Sequence, residues 1–332
     1  MNKINPFTFP LEGAVKSEDA FSCDQESRRQ IWEFSRIQQE TTQKQFTPIG
    51  VFPSYIPFRV AFSMGLLETA IKSVGLYRLG IRNALNIKIK SLDMAFPNLP
   101  DALDGYRILH LTDLHLDLLP GLEDAIAKHL SGIEFDLCVM TGDYQQNSNS
   151  PYKKIIAPLE KIVTAIEARD GVIATLGNHD DYHLAAALED LGIEVLVNET
   201  VFLDRNGARL HVTGLDDVNR FFTPMAGEAL IKRTDSFGLA LVHSPEMAGE
   251  ASSKGYALYL CGHTHGGQVC LPGGRPLMNR LVRNHDYAFG LWKCGGMTGY
   301  TSPGIGVSGV PVRFFCKGEA TLVTLKKETS PS

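Results

Sequence analysis

The stretch Tyr256-Ala257-Leu258-Tyr259-Leu260-Cys261-Gly262-His263-Thr264-His265-Gly266-Gly267 decides how this chain is read. Its first five residues form an apolar run of the length of a buried strand, and the run ends where glycines and histidines begin. Residues i and i+2 on an extended backbone point to the same side, so His263 and His265 leave the strand together. The flanking glycines let the backbone turn sharply and come close to a bound ion. Such a strand end is a metal platform if other segments bring partners to it.

Four further strand ends carry suitable groups. The apolar stretch 237–242 runs into His243-Ser244-Pro245, where Pro245 is placed to open a helix. The stretch 172–176 ends in Gly177-Asn178-His179-Asp180, 135–141 ends in Gly142-Asp143, and 107–112 ends in Asp113-Leu114-His115. Helices are expected near 121–130 and 152–169, and short strands at 193–197, 200–205 and 209–215 suggest an antiparallel or mixed portion. This alternation of strand and helix reads as an α/β fold. In open α/β sheets ligands collect beyond the carboxyl ends of the strands. Five exits loaded with Asp, His and Asn should therefore converge on one metal site.

Each exit alone has a plainer use. Asp113 or Asp143 could cap a helix, Asn178 could serve a turn, and a single histidine is often a satisfied core group. His110, His129, His183 and His211 read as structural or exposed. Asp180 reads either as a group orienting His179 or as a turn or N-cap residue.

Residues 86–94 alternate apolar and polar, which marks the first, half-exposed strand of the main domain. The boundary falls before it, leaving 1–85 as an N-terminal helical extension and 86–332 as the catalytic domain. Within the extension, Val60, Met64, Leu67, Ile71, Val74, Tyr77, Ile81 and Leu85 recur at intervals of three and four. They predict one amphipathic helix, or two short ones broken near Gly75 or Gly80. Between Glu68 and Asp93 there is no acid, whereas Lys72, Arg78, Arg82, Lys88 and Lys90 are basic. Such a segment either packs on the catalytic domain or lies against an anionic membrane surface. Residues 21–46 are polar and Gln-rich, hence a solvated helix or a mobile segment, and Pro48, Pro53 and Pro57 break any helix beyond it.

The 332 residues suit one large domain plus that extension, and 44% hydrophobic with 21% charged residues supports a sizeable core. A net charge of −5 gives no general attraction to nucleic acid. The six cysteines form no C-x-x-C pair, which favours a reduced, cytoplasmic setting. The N-terminus lacks the apolar core of a signal peptide, and no uncharged apolar run reaches about 18 residues. Neither secretion nor a spanning helix is expected.

Asp-x-His, Gly-Asp, Gly-Asn-His-Asp, a single His and Gly-His-x-His together resemble the five blocks of calcineurin-like metallophosphoesterases, over about residues 86–326. Gly262-His263-Thr264-His265-Gly266-Gly267-Gln268, followed by Pro311-Val312-Arg313-Phe314-Phe315, resembles in particular the capless bacterial phosphodiesterases, a subgroup similar to the UDP-2,3-diacylglucosamine pyrophosphatases of lipid A synthesis. The resemblance implies a β-sandwich flanked by helices with two metals at its edge. Carried over block by block, it makes Asp113, His115 and His265 ligands of one metal, Asn178, His243 and His263 ligands of the other, and Asp143 the bridge. It makes His179 the catalytic imidazole that stabilises or protonates the leaving oxygen.

A mixed nitrogen and oxygen donor set suits Mn²⁺, Fe or Zn²⁺ better than Ca²⁺, and manganese is favoured. Two ions about 3.5–4 Å apart also explain how His263 and His265 can serve different metals. With only Asp113 and Asp143 anionic, the loaded centre keeps a positive surplus that attracts phosphate. The expected activity is hydrolysis of a phosphodiester or pyrophosphate by a metal-bridging hydroxide, on a lipid-linked nucleotide such as UDP-2,3-diacylglucosamine. The enzyme would be cytoplasmic, peripheral on the inner face of the membrane. The alternatives are a soluble substrate, such as a cyclic nucleotide or phosphoprotein, and a non-catalytic scaffold, against which the complete ligand set speaks. Arg275, Arg280 and Arg283, followed by His285, either line the substrate groove or form a solvated loop. Ser302-Pro303-Gly304 and Lys317-Gly318-Glu319 depart from the subgroup and leave substrate choice open.

Overall fold

A computed structural model describes residues 14–16, 25–45, 58–146, 151–231, 236–274, 281 and 284–328. The chain opens with β1 (Ala14–Lys16), α1 (Gln25–Gln45), α2 (Phe58–Ser73) and α3 (Tyr77–Leu85). There follow β2 (Lys88–Phe96), β3 (Arg107–Leu111), α4 (Leu122–Leu130), β4 (Leu137–Thr141), α5 (Lys153–Thr164), β5 (Val172–Thr175), α6 (His183–Asp190) and β6 (Glu194–Val195). The second half holds β7 (Glu199–Arg205), β8 (Ala208–Gly214), α7 (Pro224–Ala229), β9 (Phe237–Leu241), α8 (Ala248–Ser253), β10 (Leu258–Cys261), β11 (Gly290–Cys294), β12 (Met297–Thr301) and β13 (Glu319–Lys327).

Strands β3, β4, β5, β9 and β10 are apolar at nearly every position because both of their faces are covered. On β3 and β4, Ile108, Leu137 and Val139 point one way and Leu109, Cys138 and Met140 the other. The first set packs against Leu210, Val212, Leu239, Leu258, Leu260 and Tyr300 of a second sheet, and this is the sandwich interior. The second set meets Ile126 of α4, Ile155 and Leu159 of α5, and Leu184 and Leu188 of α6. On the far side of the second sheet, Ala240 and Tyr259 pack with Ala226, Ala248, Ala251 and Trp292. The expected helix-flanked sandwich is therefore present.

The strand order is β2-β13-β3-β4-β5-β6 in one sheet and β1-β7-β8-β9-β10-β12-β11 in the other. The run β3 to β6 is parallel, as are β8, β9, β10 and β12, while β13 runs antiparallel to β3. Parallel pairing brings the carboxyl ends of β3, β4 and β5 to one rim, and those of β9 and β10 face them across the sandwich. The β7–β8 hairpin supplies the expected antiparallel portion. Strands β1 and β11 to β13 are additional to the strands expected from the sequence.

Three expectations change in detail. The helix expected over 152–169 ends at Thr164, because the chain turns back so that Ala168 bridges Phe135 beside β4. The strand expected at 193–197 shrinks to the two residues of β6 at a sheet edge. Of the segment 21–46, Gln25–Gln45 form a helix that is not merely solvated: Trp32, Arg36 and Glu40 are buried against the rest of the protein.

The 60–85 segment is two helices, parted at Gly75, whose φ of 73° suits glycine. Met64, Leu67, Ile71, Tyr77 and Ile81 pack on Val310, Val312 and Phe314. Leu66, Val74, Leu76 and Leu79 remain exposed. No described helix is long and apolar enough to cross a membrane.

Candidate metal centre

The strand exits come together through the backbone first. The Asp113 amide donates to the Gly142 carbonyl at 3.0 Å, the His115 amide to the Asp143 carbonyl at 3.1 Å, and the Gly262 amide to the His243 carbonyl at 2.9 Å. Asp113, His115, Asp143, His263 and His265 all have φ between 42° and 73°. Left-handed backbone at a non-glycine residue costs of order 1 kcal/mol or more and persists only where the surroundings impose it. Five such residues in one rim point to a site rather than to turns. The close approach also requires glycine: a Cβ at Gly177 would lie 2.2 Å from Asp143 Oδ1, and one at Gly262 2.1 Å from Asp113 Oδ2.

The side chains then fall into two groups that share one carboxylate. Ligand atoms of Asp113, His115, Asp143 and His265 lie within 4.8 Å of one another, and so do those of Asp143, His243 and His263. His265 Nε2 is 3.1 Å from His115 Nε2 and 3.3 Å from Asp113 Oδ1. In the second group, Asp143 Oδ2 is 3.2 Å from His243 Nε2, and Asn178 Oδ1 is 3.1 Å from His243 Nε2 and 2.9 Å from His263 Nδ1. All seven residues expected as ligands are thus brought together.

Two tautomers are set from outside. His115 Nδ1 donates to the Gln145 carbonyl at 2.9 Å, and His243 Nδ1 donates to the Thr141 carbonyl at 2.8 Å. When neutral, as a metal ligand must be, each ring presents an unprotonated Nε2 to the facing carboxylate, amide or imidazole. Lone pairs facing each other at about 3 Å repel unless a cation lies among them, so this donor set fits divalent ions.

The electrostatics agree. Burial pushes Asp113 up to about 6 and His115 down to about 3. Burial also opposes ionisation of Asp143, but the imidazoles of His243, His179 and His115 outweigh it and hold that carboxyl well below its ordinary value. Burial works against charging His243, yet Asp143, Asp113 and Asp217 draw its pKa well above the ordinary value. The cluster is short of positive charge.

His179 stands beside both groups. Its ring is edge-on to His115 at 5.1 Å, its Nδ1 donates to the Gln146 carbonyl at 2.5 Å, and its amide donates to Asp143 Oδ1 at 2.9 Å. The Asp180 carboxylate is taken up by backbone instead of orienting the His179 ring. It accepts from the amides of Asp143, Tyr144 and Gly177 at 2.8, 2.8 and 2.7 Å, tying the β4 and β5 exits together. Burial, then the charge of Asp143, raises its pKa to about 7.

Arg313, fully buried, is the residue whose part the sequence left open. Its guanidinium donates to the carbonyls of Pro303 at 2.8 Å, Gly304 at 3.1 Å and Gly306 at 2.6 Å. It thereby folds the 303–306 loop over Asp113, whose carbonyl accepts from the Gly306 amide at 2.9 Å. The only signal was its place in Pro311-Val312-Arg313-Phe314-Phe315. The two departing segments serve this frame: Gly304 abuts Asp113 Cβ, and Glu319 accepts from Tyr300 and pairs with Lys88 at 3.0 Å. His110 bonds Thr141 within the sheet, and His129, His183 and His211 lie away from both groups. His285 is exposed in a turn, whereas Arg275, Arg280 and Arg283 fall outside the described residues.

The calcineurin-like phosphoesterase family profile matches residues 106–267, which contain every residue of the two groups. An uncharacterized metallophosphoesterase of Bacillus subtilis, YkuE, is 30% identical over 239 residues, covering 69% of this chain and 82% of that protein. The phosphodiesterase YaeI of Escherichia coli is also 30% identical over 239 residues, covering 66% and 82% respectively. A transmembrane protein with metallophosphoesterase domain from Danio rerio is 27% identical over 285 residues, covering 80% of this chain and 62% of that one. Among solved structures, the NAD nucleotidase of Haemophilus influenzae aligns with TM-score 0.40 at 16% identity, over 60% of this chain and 45% of that one.

Proposed function

The chain belongs to the calcineurin-like phosphoesterase family and is a metal-dependent phosphoric ester hydrolase, and from that premise we propose a phosphodiesterase or pyrophosphatase that acts on a lipid-linked nucleotide such as UDP-2,3-diacylglucosamine. The observation that carries the chemistry is the Asp143 carboxylate, shared by two buried donor groups. Asp113, His115 and His265 would hold one divalent ion, Asn178, His243 and His263 the other, and Asp143 would serve both. Manganese is favoured for this mixed donor set, with iron or zinc as alternatives. Such a pair, when bound, supplies Lewis acidity toward the phosphoryl oxygens and activates a water as nucleophile.

The chain's own residues do the rest. Only two formal negative charges face two divalent ions, so the loaded centre attracts a phosphate. His179, its Nδ1–H fixed by the Gln146 carbonyl, holds a proton at Nε2 for the leaving oxygen. Asp180 keeps the Asp143 and Asn178 loops in register.

The membrane part of the reading is supported by α2 and α3. Their exposed Leu66, Val74, Leu76 and Leu79 accompany exposed Lys72, Arg78 and Arg82, a pattern suited to an anionic bilayer surface. The opposite, packed side of α2 connects this segment to the site: Met64 abuts Gly309, whose amide donates to Gln146 Oε1 at 3.2 Å, and the Gln146 carbonyl holds His179. A cytoplasmic enzyme resting on the inner face of the membrane would present its metals to a lipid head group.

The test is hydrolysis of bis(p-nitrophenyl) phosphate with Mn²⁺, abolished by chelation. Asp143→Ala should lose metal and rate together, and an undiminished rate in that variant sinks the dimetal assignment. UDP-2,3-diacylglucosamine in detergent should yield UMP and the acylated sugar phosphate. Turnover of a cyclic nucleotide without cleavage of this substrate would select the soluble alternative.

A further inference from the structure

The backbone between Asn178 and Tyr182 is held at successive residues by side chains from different parts of the fold. The carbonyl of Asn178 accepts from Arg220 Nη1 at 3.1 Å, that of His179 from Gln145 Nε2 at 3.2 Å, and that of Asp180 from Arg36 Nη2 at 2.7 Å. The amide of Tyr182 donates to Glu40 Oε1 at 3.0 Å. Two of these four holds come from α1, more than 130 residues earlier in the chain.

Helix α1 is itself fixed by a buried polar network. Arg36 is 1% exposed and Glu40 4%. Arg36 donates through Nε to Glu40 Oε1 at 2.9 Å and through Nη1 to Asp216, while its guanidinium lies 3.4 Å from the centroid of the Phe221 ring. Trp32 Nε1 donates to the other Asp216 oxygen at 2.7 Å. At the outer end of the contact, Arg29 pairs with Glu189 at 2.6 Å and Glu199 at 3.2 Å. A buried guanidinium with this many acceptors is a geometric constraint, since each bond has a fixed direction in the guanidinium plane.

We propose that Arg36 and Glu40 are positioning residues of the hydrolytic reaction: from α1 they clamp the Asp180–Tyr182 backbone, just after His179, and so aim the His179 ring at the leaving oxygen. This rests on the role of His179 given above. The N-terminal helix then belongs to the active site as a rear support, acting through the backbone and not on substrate or metal. A clamp of this kind should act on the rate of the chemical step and leave metal and substrate binding alone, because its contacts fall after His179, whereas the Asn178 carbonyl is held separately by Arg220.

The test is a double-mutant cycle in the full-length, Mn²⁺-loaded protein with bis(p-nitrophenyl) phosphate. Arg36→Met and Glu40→Met should each lower kcat about 10- to 100-fold, the usual size of a supporting-residue effect, with KM changed less than about threefold and metal content intact. Glu40→Gln, which keeps an acceptor for the Tyr182 amide, should restore most of the rate. In a His179→Ala background the same methionine substitutions should cost less than about threefold, because the group they aim is gone. Full activity of His179→Ala would remove the reading on which the clamp rests. A normal loss in His179→Ala, accompanied by an equal further loss from Glu40→Met in both backgrounds, would overturn the clamp alone. Should Arg36→Met fail to fold once Asp216 is stranded, the Glu40→Met and Glu40→Gln pair carries the same cycle.

Discussion

At the scale of single residues, the proposed roles divide into groups that would hold ions and a group that would handle a proton, and substitution should separate them. His263→Ala removes a nitrogen from the second donor group and should lower bound metal measured by elemental analysis. His179→Ala should keep near-normal metal and lose roughly 10²–10⁴ in rate, the usual worth of a positioned acid-base group. A metal-free His179→Ala protein would contradict the role given to it. Glycine matters in the same way: Gly177→Ala places a methyl group 2.2 Å from Asp143 Oδ1, so it should displace that carboxylate and empty both metal positions. Arg313 is a different kind of residue. Arg313→Met strands the buried carbonyls of Pro303 and Gly306, each worth roughly 1–3 kcal/mol when unpaired, while Gly304 keeps the Glu319 amide as donor. The variant should unfold at markedly lower urea concentration, and an unchanged midpoint would show that the 303–306 loop is held by other means.

At the scale of elements, helices from one N-terminal segment have opposite fates. Helix α1 looks polar along its length, yet its one buried stripe of Trp32, Arg36 and Glu40 docks on Asp216 and the Asp180–Tyr182 backbone. The pattern of apolar residues could not reveal this, because the stripe is largely charged and its partners lie over 140 residues away. Helices α2 and α3 look amphipathic and do pack, but on a narrow surface that leaves Leu66, Leu79 and, between the helices, Val74 and Leu76 in water among the described residues. Basic groups near an anionic surface contribute about 1 kcal/mol each at best, and Lys72, already 2.7 Å from Glu68, will contribute less. Exposed leucines add their burial. Co-sedimentation with phosphatidylglycerol vesicles should therefore occur at low salt and weaken as salt rises. Arg78→Glu/Arg82→Glu should pellet less than the native chain, and equal pelleting of the two would reduce α2 and α3 to core packing.

At the scale of the whole molecule, the metal centre joins the two sheets. Asp113, Asp143 and Asn178 come from the exits of β3, β4 and β5 in one sheet, and His243, His263 and His265 from those of β9 and β10 in the other. Ions bound across that rim would crosslink the sandwich and offset the repulsion among buried acceptors. Ligand binding to the native state at 100 times Kd contributes about 2.7 kcal/mol. Chelation should then lower the thermal midpoint by roughly 5 °C or more, and the same treatment should leave Asp143→Ala almost unmoved. A native protein indifferent to chelator would mean that the rim is held without ions.

The sequence by itself determined the class of fold, the strand exits and the residues that could bind metal, because apolar runs and the polar groups ending them are local features. Gly-His-Thr-His-Gly and Gly-Asn-His-Asp are legible wherever they stand. Tertiary structure alone decided that Asp180 ties two loops instead of orienting His179, that Arg313 pins the 303–306 loop, and that a polar helix near the N-terminus supports the His179 loop from behind. Each of those depends on hydrogen bonds to backbone carbonyls and amides brought close only by folding. A backbone group carries no mark in the sequence of the side chain that will meet it.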